Sequence, residues 1–351
     1  MQDRNTRHTG DVPHRSHAAR KAQITYALAT EFVCVLGYPA LTGDNELNIL
    51  CLQGATPLPE LEGLIEINSD IPDRYNDCVI LFWREKNANG YEEYLKVLRA
   101  TTEPGRYYTQ TRPHPGGAAN LVWGHHQYKR GRHRGRPALV SASGLDRVWR
   151  DKDGDFSQDM TEKVYIGRFG IHVHTGGKGE TIGRWSAGCV AIWGGYDGEP
   201  YKFFLKRVEA HPGRLIGLTL WGARDLSSWM KGRSSEFLNG CVAGRCVAGR
   251  GVTGTGWRPT LRYGIGNPWV ADVQRLLNSH LDYRLVADGD WGPMTQGYFL
   301  KFQQEKGLAV DGICGTLSWA KLLCREVGMR LRENIENNDT ASNEMEVVDD
   351  N

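Results

Sequence analysis

The run 169–195, FGIHVHTGGKGETIGRWSAGCVAIWGG, places two imidazoles ahead of a single thiol. In an extended strand, side chains alternate between faces. Phe169, Ile171 and Val173 then face a core, and His172 and His174 share the opposite face. Cys189 ends the corner Ser186-Ala187-Gly188-Cys189 and is followed by the apolar Val190, Ile192 and Trp193. Such a corner is expected to present the thiol at a turn. A free thiol of pKa about 8.5 is only about 3 % ionised at pH 7, and the thiolate is the nucleophile. A neighbouring imidazole raises the reactive fraction by taking the proton. His174 is therefore the expected base, with His172 kept on the same face. Gly188 lets the backbone approach a substrate, and the amides of Gly188 and Cys189 are expected to hold an oxyanion, worth roughly 3 kcal/mol per donor. The chemistry would be acyl transfer through a covalent intermediate. The competing reading is an inert buried thiol, since free cysteines are among the most buried residues.

A second constellation lies near the C-terminus. Asp288-Gly289-Asp290-Trp291-Gly292-Pro293-Met294-Thr295 and Asp311-Gly312-Ile313-Cys314-Gly315-Thr316-Leu317-Ser318 share the pattern D-G-x-x-G-x-x-[T/S]. Asp-Gly favours a tight turn, and the hydroxyl is expected to satisfy free N–H groups at the start of the next helix. Tyr298, Phe299 and Phe302 fall at helical spacing, as do Val273, Leu276 and Leu277. Three short helices with repeated turns follow.

Two weaker signals need weighing. His125, His126 and His133 are metal-ligand types, but five basic residues around them oppose a cation, and a basic loop or hairpin is expected. Asp151, Asp153 and Asp155 have part of a calcium-loop spacing without its remaining ligands, so a charged surface turn is expected. No metal and no organic cofactor is anticipated.

Around these residues the chain divides by composition. Residues 1–20 read as a disordered basic arm and 21–224 as a mainly β catalytic domain. A Gly-rich linker follows over 225–265, a helical domain over 266–324, and a polar acidic, disordered tail over 333–351. Within the first domain 79–83 and 168–174 read as strands, and short helices are expected near 91–99 and 201–208. The net charge of +2 argues against nucleic acid or a membrane surface as partner. No apolar run is long enough to span a bilayer. The polar N-terminus lacks a secretory signal, so synthesis in the cytoplasm is expected, with the eight single cysteines reduced.

The segment 266–324, with VQRLLN, DGDWG, FQQEKGL, VDGICG and SWAKLL in order, resembles the three-helix peptidoglycan-binding domain. The resemblance implies a binding groove near the turns, with Asp288, Trp291 and Trp319 as candidates, although Trp319 equally suits a core. The segment 165–195 resembles the active site of the L,D-transpeptidase family, in which a His precedes an S-H-G-C motif. The resemblance implies His174 as base, Thr175 as the adjacent hydroxyl residue, Ser186 as a motif residue and Cys189 as nucleophile; His172 has no counterpart. Ala187 replaces the motif His, and Ala191 stands where Arg or Asn is common. Arg184 is the candidate to hold a substrate carboxylate in its stead. The implied fold class is multidomain α+β, an L,D-transpeptidase-like β domain joined to an all-α peptidoglycan-binding domain. The implied function is transfer or hydrolysis of stem peptides in bacterial peptidoglycan, reached after phage lysis or as part of a virion. The alternative is a catalytically inactive wall-binding structural or virion protein.

Overall fold

The computed structural model describes residues 20–111, 114–158, 162–232, 257–281 and 284–323. The basic arm before residue 20, the core of the Gly-rich stretch and the acidic tail lie outside the described residues.

The N-terminal region is mainly β and centres on a closed eight-stranded barrel. In chain order its strands are β2 (Asn48–Gln53), β5 (Asp77–Asn87), β6 (Gly90–Thr101), β8 (Gly124–His133), β9 (Arg136–Ser141), β12 (His172–Thr175), β13 (Val190–Ile192) and β14 (Leu215–Gly222). Around the barrel they run β12-β13-β6-β5-β2-β14-β8-β9, and β9 closes on β12. The β12–β13 and β14–β2 pairs are parallel, whereas the other pairs are antiparallel. Two three-stranded sheets flank it: β1 (Arg20–Gln23), β4 (Leu64–Ile67) and β3 (Ala55–Pro57); and β11 (Val164–Gly167), β10 (Asp146–Asp151) and β7 (Ala118–Leu121).

Residue alternation explains why β2 and β5 are apolar almost throughout. Ile49, Cys51, Val79 and Leu81 point into one core with Val173, Val190 and Ile192. Their neighbours Leu50, Leu52, Cys78 and Ile80 point the other way, beneath α1 (Tyr26–Val35) and α3 (Ala223–Gly232). Strands covered on both faces lose the polar half of the alternation. The segment 91–99 belongs to strand β6, not to a helix. Its Glu, Leu and Lys residues suit helices intrinsically, but the hairpin with β5 closes through Asn87 and Gly90 and overrides that preference. The helix expected near 201–208 is present as α2 (Glu199–Ala210). The segment 168–171 is not strand; regular pairing begins only at His172.

The linker boundary expected at 225 also moves. Residues 223–232 form α3, because Trp229 and Leu226 bury their side chains in the core. From Trp257 the chain is again packed: Thr260 donates to both carboxylate oxygens of Asp225, through its N–H at 2.9 Å and its hydroxyl at 2.8 Å.

The helical domain comprises α4 (Pro268–Leu281), α5 (Pro293–Glu305) and a short helix over 316–323. Asn267 caps α4 by accepting the Val270 N–H, and Pro begins both α4 and α5 at the position where a missing N–H costs nothing. The domain docks on α1. Trp269 Nε1 donates to the Val35 carbonyl at 2.8 Å, and the Tyr38 hydroxyl donates to the Gly266 carbonyl at 3.1 Å. At Gly37, of φ +88°, a Cβ would lie 2.6 Å from Pro268 Cδ. One apolar core runs from α1 through Trp291, Phe299 and Phe302.

Candidate functional site

The parallel pairing of β12 with β13 sets Val173 beside Val190 and His174 beside Ala191. It thereby brings the end of the SAGC corner next to the histidine strand. The corner itself is held from within. Ser186 Oγ donates to the Cys189 carbonyl at 2.7 Å and accepts the Gly188 N–H at 3.0 Å. Gly188 has φ +128°, and a Cβ there would lie 2.0 Å from the Ala119 carbonyl oxygen. Only glycine fits both the conformation and the space. Because its N–H serves Ser186, Gly188 is not the oxyanion donor that the sequence suggested.

Cys189 is 8 % exposed, more enclosed than a thiol presented on a turn. Its Sγ accepts the His172 N–H at 3.4 Å, and its S–H donates to the Gly170 carbonyl at 3.6 Å. Among the described residues no imidazole nitrogen is hydrogen-bonded to it. Burial pushes the thiol up to about 11, opposed by the His172 N–H. The resting sulfur is therefore a neutral thiol.

Three histidines, one more than the strand argument supplied, cluster around β12, whose His172 N–H meets the sulfur. His133, from the end of β8, stacks on His174 with ring centroids 4.8 Å apart and meets His172 edge-on at 4.9 Å. His174 Nδ1 lies 2.6 Å from the Thr175 carbonyl. A carbonyl only accepts, so Nδ1 carries the proton and Nε2 keeps its lone pair. That is the tautomer a base requires. Burial, partly offset by this hydrogen bond, lowers His174 to about 4. His172 and His133 are lowered too, burial again being the main cause. The His172 Nδ1 is buried without a partner. Asp146, 4 % exposed, accepts the Ile171 N–H at 3.1 Å and acts on His172 through its charge. Sequence spacing alone could not have found His133 or Asp146, because both arrive from other strands.

Thr175 is fully buried, and its hydroxyl donates to the Gly176 carbonyl, so it is a structural residue. Arg184 is exposed and lies over the Tyr107 ring at 4.2 Å. The histidines of 124–133 do not converge on one point. His125 contacts Thr219 Oγ1, His126 contacts the Val122 carbonyl, and the segment forms the β8–β9 hairpin. Arg130 closes the carboxyl end of α2 by donating to the Val208 and Gly213 carbonyls at 3.0 and 2.9 Å. The carboxylates of Asp151, Asp153 and Asp155 lie within 4.8 Å of one another. They accept backbone N–H groups of residues 154–157 and build the surface turn.

In the helical domain each D-G turn is clamped by a glutamine. Gln274 Nε2 donates to Asp288 Oδ1 and the Asp290 carbonyl, while its Oε1 accepts the Gly289 N–H at 3.0 Å. Gln303 repeats this on Asp311, Ile313 and Gly312, with a 2.8 Å bond from Gly312. Residues 267–322 match the model of the peptidoglycan binding domain family. No curated protein and no solved structure matches the chain. The peptidoglycan-binding domain thus associates this protein with the cell wall. Within it, Trp291 and Trp319 are core residues, 0 % and 3 % exposed, and not groove residues. Their indole N–H groups are satisfied by Gln296 Oε1 and the Pro259 carbonyl. Asp288 is exposed but serves its own turn, accepting the Asp290 N–H. The hydroxyls of Thr295 and Ser318 point back to the turn carbonyls of Asp290 and Ile313. They do not cap the following helices.

Proposed function

We propose that this protein is a cysteine enzyme acting on peptide bonds of peptidoglycan, with an L,D-transpeptidase-like β domain held at its substrate by the peptidoglycan-binding domain. The observation that carries this reading is Cys189 in a stapled corner beside the strand that bears His172 and His174. Both the neutral thiol and the neutral imidazoles fit a sequence in which proton and bond move together. As Sγ attacks a stem-peptide carbonyl, its proton passes to an imidazole, and the amine leaves with that proton. The acyl-enzyme is then resolved by an amine or by water. The base is His174 or His172. His174 has the correct tautomer, whereas His172 is more exposed and adjoins the sulfur through its backbone. Because the Gly188 N–H is engaged, the oxyanion is assigned to the Cys189 amide. Binding to the wall raises the effective concentration of stem peptides. Delivery after phage lysis or within a virion belongs to this same reading.

A second reading has its own support. The raised thiol and its backbone-only hydrogen bonds suit a wall-binding protein whose β domain has lost catalysis. Incubating purified sacculi with the wild type and with Cys189→Ala, followed by mass analysis of muropeptides, separates the two. Products formed by the wild type alone support the enzyme. Identical patterns support the binding protein.

A further inference from the structure

One cavity lies apart from the thiol. It encloses about 550 Å³ where the barrel, α3 and the peptidoglycan-binding domain meet, and neither Cys189 nor any of the three histidines lines it. Its volume is that of a small-ligand site. Ile313 of the peptidoglycan-binding domain and Arg262 of the preceding segment close one side, and Gln53, Glu103 and Trp123 of the barrel domain line another.

Charged side chains of both signs line this space. Arg262 lies over the Trp123 ring at 3.8 Å, and among the described residues no acceptor meets its guanidinium. Glu103 is 7 % exposed, and its Oε1 accepts Gln53 Nε2 at 2.5 Å. Gln53 is itself fixed by the Trp123 indole N–H at 2.7 Å. Asp70 Oδ1 is buried with no hydrogen-bond partner. The Arg262 cation interacts electrostatically with Asp225, Asp70 and Glu103, yet forms no ion pair within contact distance of them. Burial pushes Asp70 and Glu103 upward, and repulsion from Asp70 and, less, from Asp77 adds to this for Glu103. A guanidinium with free donors and an Asp70 oxygen without one, lining the same cavity, leave a polar demand of each sign.

We propose that this cavity binds a zwitterion: an amino acid or the end of a short peptide whose carboxylate meets Arg262 and whose ammonium meets Asp70 and Glu103. The planar fork of Arg262 suits a carboxylate, and the walls of Trp123, Trp149 and Phe156 cover the apolar part. Since both domains contribute walls, the occupant joins the β domain to the peptidoglycan-binding domain. The proposal does not depend on chemistry at Cys189.

Isothermal titration calorimetry of the full chain tests it with glycylglycine and D-alanyl-D-alanine. Each dipeptide is compared with its N-acetyl form, which lacks the ammonium, and its C-terminal amide, which lacks the carboxylate. Saturable binding of a free dipeptide is expected, with both blocked forms at least about tenfold weaker. Arg262→Met and Asp70→Asn should each weaken it to a similar degree. Asn tolerates the left-handed backbone at position 70, of φ +57°, so the second variant remains informative should Arg262→Met misfold. Equal binding of the amide would make this a simple cation site, and equal binding of the N-acetyl form a simple anion site; either overturns the proposal. So does the absence of saturable binding by both free dipeptides up to about 10 mM. Repeating the titration on Cys189→Ala keeps the result separate from the fate of the catalytic reading.

Discussion

The imidazoles of His133 and His174 stack face to face, 4.8 Å between centroids and 17° between planes. They come from strands β8 and β12, which do not pair with each other; β9 lies between them. Each ring shields the other from water, and a proton on either disfavours a proton on its neighbour. Burial is the larger cause of the low His174 value of about 4, with His133 a smaller one in the same direction.

His133→Ala removes both effects. The His174 pKa is expected to rise by up to about one unit, read from the histidine proton resonances across a pH titration. If His174 is the base, the acidic limb of wall-degrading activity should move upward with it. An unchanged His174 titration would show that the stack has no electrostatic consequence.

Cys189 should label slowly for two separable reasons, access and ionisation. With the thiol pushed up to about 11, the thiolate fraction at pH 8.5 is about a hundredfold below that of an ordinary cysteine. Iodoacetamide modification of the Cys189 peptide, followed by mass spectrometry, should therefore keep accelerating between pH 9 and 10, where an unperturbed thiol levels off. A plateau near pH 9 would show an ordinary thiol and weaken the concerted proton transfer proposed above.

Gly188→Ala tests the corner. The new Cβ meets the Ala119 carbonyl at 2.0 Å on a backbone of φ +128°, so the loop must move. A loss of about 2–4 kcal/mol in denaturant unfolding is expected, together with loss of any activity. Ala187→Gly, one residue earlier on an exposed position, should cost less than about 1 kcal/mol.

The features legible in the sequence were those set by local chemistry. The paired D-G turns could be read because Gly289 and Gly312 must take positive φ, +82° and +71°. His172 and His174 could be placed together because strand alternation is a local rule. What remained hidden depends on partners distant in the chain. The barrel closes through pairs such as β2 with β14, and no local pattern announces Leu218 beside Ile49. His133 reaches His174, and Asp146 the Ile171 N–H, through tertiary packing, and Arg262 reaches Trp123 from a segment far along the chain. Trp291 and Trp319 misled because a tryptophan suits a sugar surface and a core equally well. Only the indole partners, Gln296 and Pro259, decide.

Trp291 and Gln274 should therefore act through stability. Trp291→Ala empties a fully buried site against Phe299 and is expected to cost about 3–5 kcal/mol. Gln274→Met strips the buried Gly289 N–H of its acceptor, at about 1–3 kcal/mol for the group left unpaired. Both variants should lose sacculus binding only as they unfold, judged by pull-down beside thermal melting. By contrast, Asp290→Ala removes a half-exposed pair with Arg147 at 3.2 Å and should change stability by less than about 1 kcal/mol.

The last prediction follows from linkage. His174 is 5 % exposed, and its folded-state value of about 4 lies below the ordinary value of about 6.5. Between those values the unfolded chain binds a proton that the folded chain refuses. Stability from this residue is thus fully present above about pH 6.5 and lost as pH falls toward 4. The difference amounts to about 3 kcal/mol. His126, also near 4, contributes in the same direction. Asp77, pushed up to about 8 by burial and by Asp70, works the other way, because its folded form keeps a proton that the unfolded form releases as pH rises from 4 to 8. The wild-type profile therefore mixes opposed terms, and only a difference isolates one of them. His174→Gln should melt closer to the wild type at pH 4.5 than at pH 7, where the native imidazole is neutral in both states. A constant gap between the two proteins across that interval would mean that His174 is not held neutral in the folded protein.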